Sequence, residues 1–149
     1  MNATKQPKVH IGSITTGTLL PEDLLEAFSD ELRRLDANGH YAKLLAEAAE
    51  ILESNIGEYG LEDTSGLVDD LQYALQEFAP PYTYFGAHPG DGADFGFWPD
   101  HDSLEDAIHD GEKLDDGDVL TDDGLVISVS GHGNVTVFDQ NRNELWSCV

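Results

Sequence analysis

The sequence predicts an α+β fold, in which an N-terminal strand and three amphipathic helices are followed by an antiparallel β meander. Apolar residues recur at helical spacing in the first half, whereas the second half has short aromatic or β-branched runs between glycine-rich turns. The length of 149 residues fits one domain. We therefore expect a single domain over residues 1–149, with a helical half about 1–79 and a β-rich half about 80–149.

The helical half begins with a segment that alternates apolar with polar or small residues. Residues 8–14 predict a half-buried strand on this pattern. The first helix is expected to begin at Pro21, since proline is tolerated in a first turn, and to end at Asn38-Gly39. A second helix is expected to follow, with its apolar face over residues 41–56 and its end near Gly57 or Gly60.

A third apolar stripe lies between residues 64 and 78. We expect Thr64 or Ser65 to cap this helix, because a side-chain hydroxyl can accept a hydrogen bond from an unpaired backbone N–H of the first turn. Pro80-Pro81 should end it.

The β-rich half opens with two aromatic runs, residues 82–85 and 95–98, around a glycine-rich segment at 86–94. This pattern predicts a hairpin. One face should pack on the helices, and the other, if exposed, would form an anchor patch inside an acidic rim, although core packing alone also explains the aromatic rings. The aromatic residues of this hairpin are Tyr82, Tyr84, Phe85, Phe95, Phe97 and Trp98.

Residues 103–109 predict a short helix that Asp102 or Ser103 caps. The acidic segment 110–124 is too polar for the core and is expected to be a loop. Residues 125–129 and 135–138 flank a glycine-containing turn and predict a second hairpin, which a final strand over 144–149 follows.

Charge excludes several functions. The chain has 30 acidic against 7 basic residues and a net charge of −23. Phosphates are bound by clustered Lys and Arg, and seven scattered basic residues cannot form such a cluster. We therefore expect neither direct nucleic-acid binding nor attachment to anionic membranes. From residue 58 to residue 123 there are 19 acidic residues and one base, Lys113.

This concentration has three interpretations. It is a solvated surface or an adaptation to high salt, a docking face for a basic partner, or a site for divalent cations. In its extreme form, docking becomes mimicry of nucleic acid, with carboxylates in place of phosphates. The residues expected to bind the partner are Asp69, Asp70, Glu77, Asp91, Asp94, Trp98, Asp100, Asp102, Glu105, Asp106, Asp115, Asp116, Asp118, Asp122 and Asp123.

We expect no metal and no cofactor. His88, Asp91 and Asp94 are the candidate ligands of a metal-binding alternative, but aspartates on a glycine-rich turn more commonly bond their own backbone. The acidic run 115–124 departs from the EF-hand pattern, because Leu120 stands where an oxygen ligand is needed.

Nothing in the sequence indicates an enzyme. Cys148 is the only thiol and lies in the last strand, so it forms no intramolecular disulfide and is a poor nucleophile candidate. Ser130 and His132 share a turn without a nucleophile-elbow pattern. Without a signal peptide or a membrane span, a cytoplasmic protein is expected.

Residues 79–98, together with 131–137 and 144–147, resemble a family of small acidic proteins of phages and bacterial mobile elements. The resemblance implies no specific activity. It implies a setting in which small acidic proteins often inhibit host defence nucleases, including restriction enzymes and CRISPR effectors, sometimes by imitating DNA.

We therefore expect an acidic, non-enzymatic inhibitor of a basic nucleic-acid-binding defence effector, an anti-CRISPR or anti-restriction DNA mimic. It would act in the host cytoplasm if it is phage-encoded. The alternatives are a metal- or small-ligand-binding accessory module and a salt-adapted domain. The identity of the partner and the oligomeric state stay open.

Overall fold

The computed structural model describes residues 7–54 and 60–148, with side chains in the second range from residue 63 onward. It confirms the predicted α+β class, including the three helices of the first half and the C-terminal antiparallel meander. The elements in chain order are β1 (Gly12–Thr16), α1 (Pro21–Leu35), α2 (Ala42–Glu53), α3 (Gly60–Gln76), β2 (Thr83–His88), β3 (Asp91–Pro99), α4 (His101–Asp110), β4 (Glu112–Lys113), β5 (Val119–Leu120), β6 (Val126–Val129), β7 (Val135–Phe138) and β8 (Glu144–Cys148).

The described chain forms two compact units. The first comprises residues 7–54, 60–79 and Phe85–Phe97, and the second comprises Pro80–Tyr84 and residues 98–148. The expected single-domain organisation stays a prediction.

The first unit has its core where α1 packs against α3 and α2. Leu25, Leu32 and Leu71 are fully buried there, as the helical spacing of the apolar residues predicts. The ring of Phe28 makes edge-to-face contacts with Phe85 and Phe95, with centroids 5.1 and 5.4 Å apart. Aromatic pairs in this geometry stabilise a core beyond the apolar area that they bury.

A three-stranded sheet of order β1-β3-β2 completes this unit. Strand β1 pairs antiparallel with β3, placing Gly12 opposite Phe97, and the register shifts after Ser13. A Cβ on Gly96 would lie 2.0 Å from the carbonyl oxygen of Gly12, so only glycine fits this close approach. The predicted strand at 8–14 is shifted, because pairing with β3 begins only at Gly12.

The second unit contains the sheet β4-β5-β6-β7-β8, in which every neighbouring pair is antiparallel. Its buried residues include Val119, Ile127 and Trp146, and the indole N–H of Trp146 donates to the carbonyl of Pro81 at 2.7 Å. The segment 110–124 was expected outside the core, yet it supplies β4, β5 and the buried Val119. Pairing of β5 with β6 buries this single apolar residue despite its acidic neighbours.

Two of the predicted helix caps are wrong. Helix α3 begins at Gly60, so Thr64 is a fully buried interior residue and neither it nor Ser65 caps the helix. Helix α4 is capped by Asp100, whose carboxylate accepts from the backbone N–H of Ser103 at 3.2 Å. The cap lies upstream of the predicted one because the helix already begins at His101.

The aromatic hairpin is present, but its turn is much shorter than the glycine-rich segment. Strand β2 continues to His88 and β3 begins at Asp91, so only Pro89 and Gly90 connect them. Most of the glycines expected in the turn therefore lie in strands.

Candidate protein-binding surface

The carboxylates predicted to bind a partner are divided between the two units. Asp69 and Asp70 lie exposed on α3, Glu77 follows that helix, and Asp91 and Asp94 lie on β3. The remaining predicted residues, which all belong to the second unit, are Trp98, Asp100, Asp102, Glu105, Asp106, Asp115, Asp116, Asp118, Asp122 and Asp123.

Helix α4 presents four carboxylates on one face. Asp102, Glu105, Asp106 and Asp110 are spaced so that successive turns of the helix bring them to the same side, and all four are exposed. Leu104 lies on the opposite side and is buried. We call these four carboxylates the α4 stripe.

Two members of the stripe also line a cleft of about 300 Å³, which we call the α4 cleft. Asp106 and Asp110 line it together with Asp122 and Asp123 of the turn between β5 and β6. The remaining lining residues are Tyr82, Ser103, Ala107 and Thr121. The cleft therefore gathers acidic side chains that are separated in sequence.

Thr121 fixes the turn that carries Asp122 and Asp123. Its buried hydroxyl accepts from the backbone N–H of Leu125 at 3.1 Å, and its own N–H donates to the carbonyl of Leu125 at 2.8 Å. The N–H of Gly124, which has a left-handed φ of 85°, donates to the carbonyl of Thr121 at 3.0 Å. The turn thus holds both aspartates outward without using their carboxylates.

The carboxylates of Asp116 and Asp118 have a different environment. Asp116 accepts from the backbone N–H of Asp118 at 3.0 Å, and Arg142 donates to Asp118 at 2.9 Å and to Asp116 at 3.4 Å. The backbone N–H of Asp118, followed by the Arg142 guanidinium, holds the pKa of Asp116 below its usual value. These two aspartates therefore stabilise their own loop, whereas Asp115 is exposed beside them.

The aromatic hairpin does not supply an exposed anchor patch. Phe85 and Phe97 are buried, and Tyr82, Tyr84 and Trp98 are partly buried. Burial, with a smaller contribution from the negative charge of Asp100, raises the pKa of the Tyr84 phenol. A binding role for Trp98 stays a prediction.

His88, Asp91 and Asp94 do not come together as metal ligands. Each makes a local contact: His88 Nδ1 accepts from the N–H of Gly90 at 2.9 Å, Asp91 accepts from the N–H of Ala93 at 3.0 Å, and Asp94 accepts from the Ser13 hydroxyl. Two residues three apart in a strand also point to opposite faces of the sheet. Across residues 7–54 and 60–148, no group of three or more His, Cys, Asp or Glu side chains could hold a metal ion.

The sequence analysis did not identify Tyr73, an aromatic residue on the outer face of α3. Its side chain is 79% exposed, the most among the exposed large hydrophobic side chains of the described chain. Together with Asp69, Gln72, Gln76 and Phe85 it lines a groove of about 310 Å³, which we call the α3 groove. The sequence could have indicated this exposure, because Tyr73 lies two residues from Leu71 and therefore on the side of the helix opposite the apolar stripe.

The chain matches no protein family model, and no curated protein or solved structure is significantly similar to it. The resemblance to acidic proteins of mobile elements therefore stays a prediction. Within the described ranges, no helix has the length and apolar character needed to cross a membrane.

Proposed function

We propose that this chain is a non-enzymatic acidic protein whose α4 stripe and α4 cleft, together called the α4 surface, bind a basic, nucleic-acid-handling protein and inhibit it by occupying its nucleic-acid groove. The observation that carries the proposal is the α4 cleft, which four carboxylates line. Within the described chain, none of these four forms an ion pair with Lys or Arg, and Asp110 lies 3.2 Å from Nδ1 of the neighbouring His109.

Like charges around a small cleft repel one another, and this repulsion favours a cationic occupant. A lysine or arginine entering the α4 cleft would replace repulsion by attraction. The cleft therefore favours partners with a projecting basic side chain.

The spacing of the α4 stripe supports imitation of nucleic acid. From Asp102 to Asp110 the helix rises about 12 Å, at 1.5 Å per residue. Four carboxylates over this distance give one negative charge in roughly 4 Å, close to the one phosphate per 3.4 Å of each strand in duplex DNA. A protein groove that accepts a DNA strand presents Lys and Arg side chains that complement this charge density.

The partner class follows from the same chemistry. A protein that handles nucleic acid exposes clustered Lys and Arg, which the α4 surface complements. From the resemblance predicted for residues 79–98, we propose a defence nuclease, such as a restriction enzyme or a CRISPR effector, as this partner. The proposed site of action is the cytoplasm of the host cell.

The test is affinity capture from a bacterial lysate, followed by competition. We expect the wild-type protein to retain a nucleic-acid-binding protein that added duplex DNA releases. A triple variant, Asp106→Asn, Asp122→Asn and Asp123→Asn, should retain at least tenfold less of it, because each substitution removes a charge from the α4 cleft while conserving side-chain shape. The eluted partner should lose DNA binding when the wild-type protein is added back.

A charge-matched variant separates the site from the total charge. Glu22→Gln, Glu26→Gln and Glu53→Gln remove three charges from exposed positions of α1 and α2. This variant should retain the partner nearly as well as the wild type. Equal losses in the two variants would mean that bulk charge controls binding, and capture that DNA does not displace would contradict mimicry.

A further inference from the structure

We infer that the α3 groove is a second binding site, which accepts an arginine side chain from a basic protein segment. The inference shares with the proposed function only the basic character of the partner. The groove lies entirely in the first unit, on residues outside the α4 surface.

The walls of the α3 groove combine aromatic surface with hydrogen-bond acceptors. Tyr73 exposes most of its ring, and the buried Phe85 lines the groove with it. The side-chain oxygen of Gln76 accepts from the backbone N–H of Phe85 at 2.8 Å, which fixes this part of the wall. Asp69 lies one helical turn before Tyr73 and supplies a carboxylate.

The charge around the groove calls for a cation from outside the chain. No lysine or arginine occurs anywhere between residues 44 and 112. Among the described residues, Asp69 and Asp70 form no ion pair, and both are exposed. An aromatic ring beside uncompensated carboxylates attracts a cation to its face.

Arginine fits this combination better than lysine. Its planar guanidinium can stack on the Tyr73 ring while its N–H groups donate to the Asp69 carboxylate and the Gln72 amide oxygen. An ammonium group is more strongly hydrated and lacks a flat face. A purely apolar segment would leave Asp69 desolvated without a partner, and nucleic acid or a second copy of this chain would bring further negative charge.

The experiment compares two peptides with equal charge. Fluorescently labelled (Gly-Arg)₅ and (Gly-Lys)₅ amides are titrated with the full-length protein near physiological salt, and binding is followed by anisotropy. The net charge of −23 attracts both peptides, so the measured quantity is the ratio of their affinities. We expect the arginine peptide to bind roughly two- to fivefold more tightly, because only the guanidinium can stack flat on the Tyr73 ring while it donates to Asp69.

Variants assign this preference to the groove. Tyr73→Leu keeps an apolar side chain but removes the π face, so the affinity ratio should fall to about one. Tyr73→Phe keeps the ring and should keep the ratio. In amide NMR spectra of the wild type, the arginine peptide should shift the signals of residues 69–76.

Two results would overturn the inference: equal affinities of the two peptides for the wild type, or a ratio that survives in Tyr73→Leu. The triple variant of the α4 cleft distinguishes this failure from failure of the proposed function. This variant should lower the affinity for both peptides by the same factor and leave the ratio of the two affinities unchanged. Each site can therefore be refuted while the other stands.

Discussion

Helices α1 and α3 pack against each other in the first unit, yet their outer faces differ. Helix α1 has Glu22 and Asp23 in its first turn and Arg33 and Arg34 in its last turn, which complements the helix dipole at both ends. Helix α3 has no basic residue and instead exposes two aspartates beside Tyr73.

The basic side chains of α1 form ion pairs within their own helix. Arg33 contacts Asp30 at 3.0 Å, and Arg34 contacts Glu31 at 2.6 Å while donating to the carbonyl of Lys8 at 2.9 Å. Every basic side chain of this helix therefore serves the fold. In α3, by contrast, no carboxylate from residue 63 onward forms an ion pair.

The buried faces of α1 and α3 should contribute equally to stability. Truncating a buried leucine on either face is expected to have the largest effect on the free energy of unfolding. Leu32→Ala in α1 and Leu71→Ala in α3 each remove a fully buried side chain and leave a cavity. We expect each to lower the free energy of unfolding by about 2–5 kcal/mol. Urea denaturation measures the change, with Tyr73→Ala as a control that should stay within about 0.5 kcal/mol. A small effect at Leu71 alone would show that the two helices do not share one core.

The outer face of α1 should contribute less. A double-mutant cycle of Glu31→Gln and Arg34→Met isolates their interaction, for which we expect a coupling energy of about 0.5–1 kcal/mol, since the Glu31 side chain is only 11% exposed. Urea denaturation of the four proteins in the cycle measures it. A coupling energy near zero would remove the proposed contrast between a stabilising and a binding face.

The smallest effect comes from giving α3 the pattern of α1. Gln72→Arg places a guanidinium three residues after Asp69, the spacing of Asp30 and Arg33. We expect a gain of about 0.2–0.5 kcal/mol in the free energy of unfolding. The same change should abolish the preference for the arginine peptide, because the cation then comes from the chain itself. Retention of that preference in a stabilised Gln72→Arg protein would contradict the inferred groove.

Periodicity predicted the elements with strong local signals. The apolar spacing after Pro21 identified α1 because its buried residues recur every three or four positions. The runs at 125–129 and 135–138 identified β6 and β7, whose register pairs Val126 with Phe138. The cap of α4 was displaced because Asp100, Asp102 and Ser103 are all good capping residues, and sequence does not decide among them.

The candidate sites depended on tertiary structure. Sequence reasoning named Asp106, Asp122 and Asp123, but only the turn fixed by Thr121 brings them to one cleft. It grouped Asp116 and Asp118 with them, although these two pair with the distant Arg142. Tyr73 was missed because a single exposed aromatic residue opposite an apolar stripe leaves no periodic signal in the sequence.

The pairing of β1 with β3 has a consequence for synthesis of the chain. Gly12 meets its partner Phe97 only after 85 further residues have been made, so β1 cannot pair before then. Closing so long a loop costs entropy and slows folding relative to local contacts. During translation, docking of the first strand must therefore wait until the segment around residue 96 has been made, whereas α1, α2 and α3 are already complete and can pack on one another. The three-stranded sheet can thus form only after the helical core.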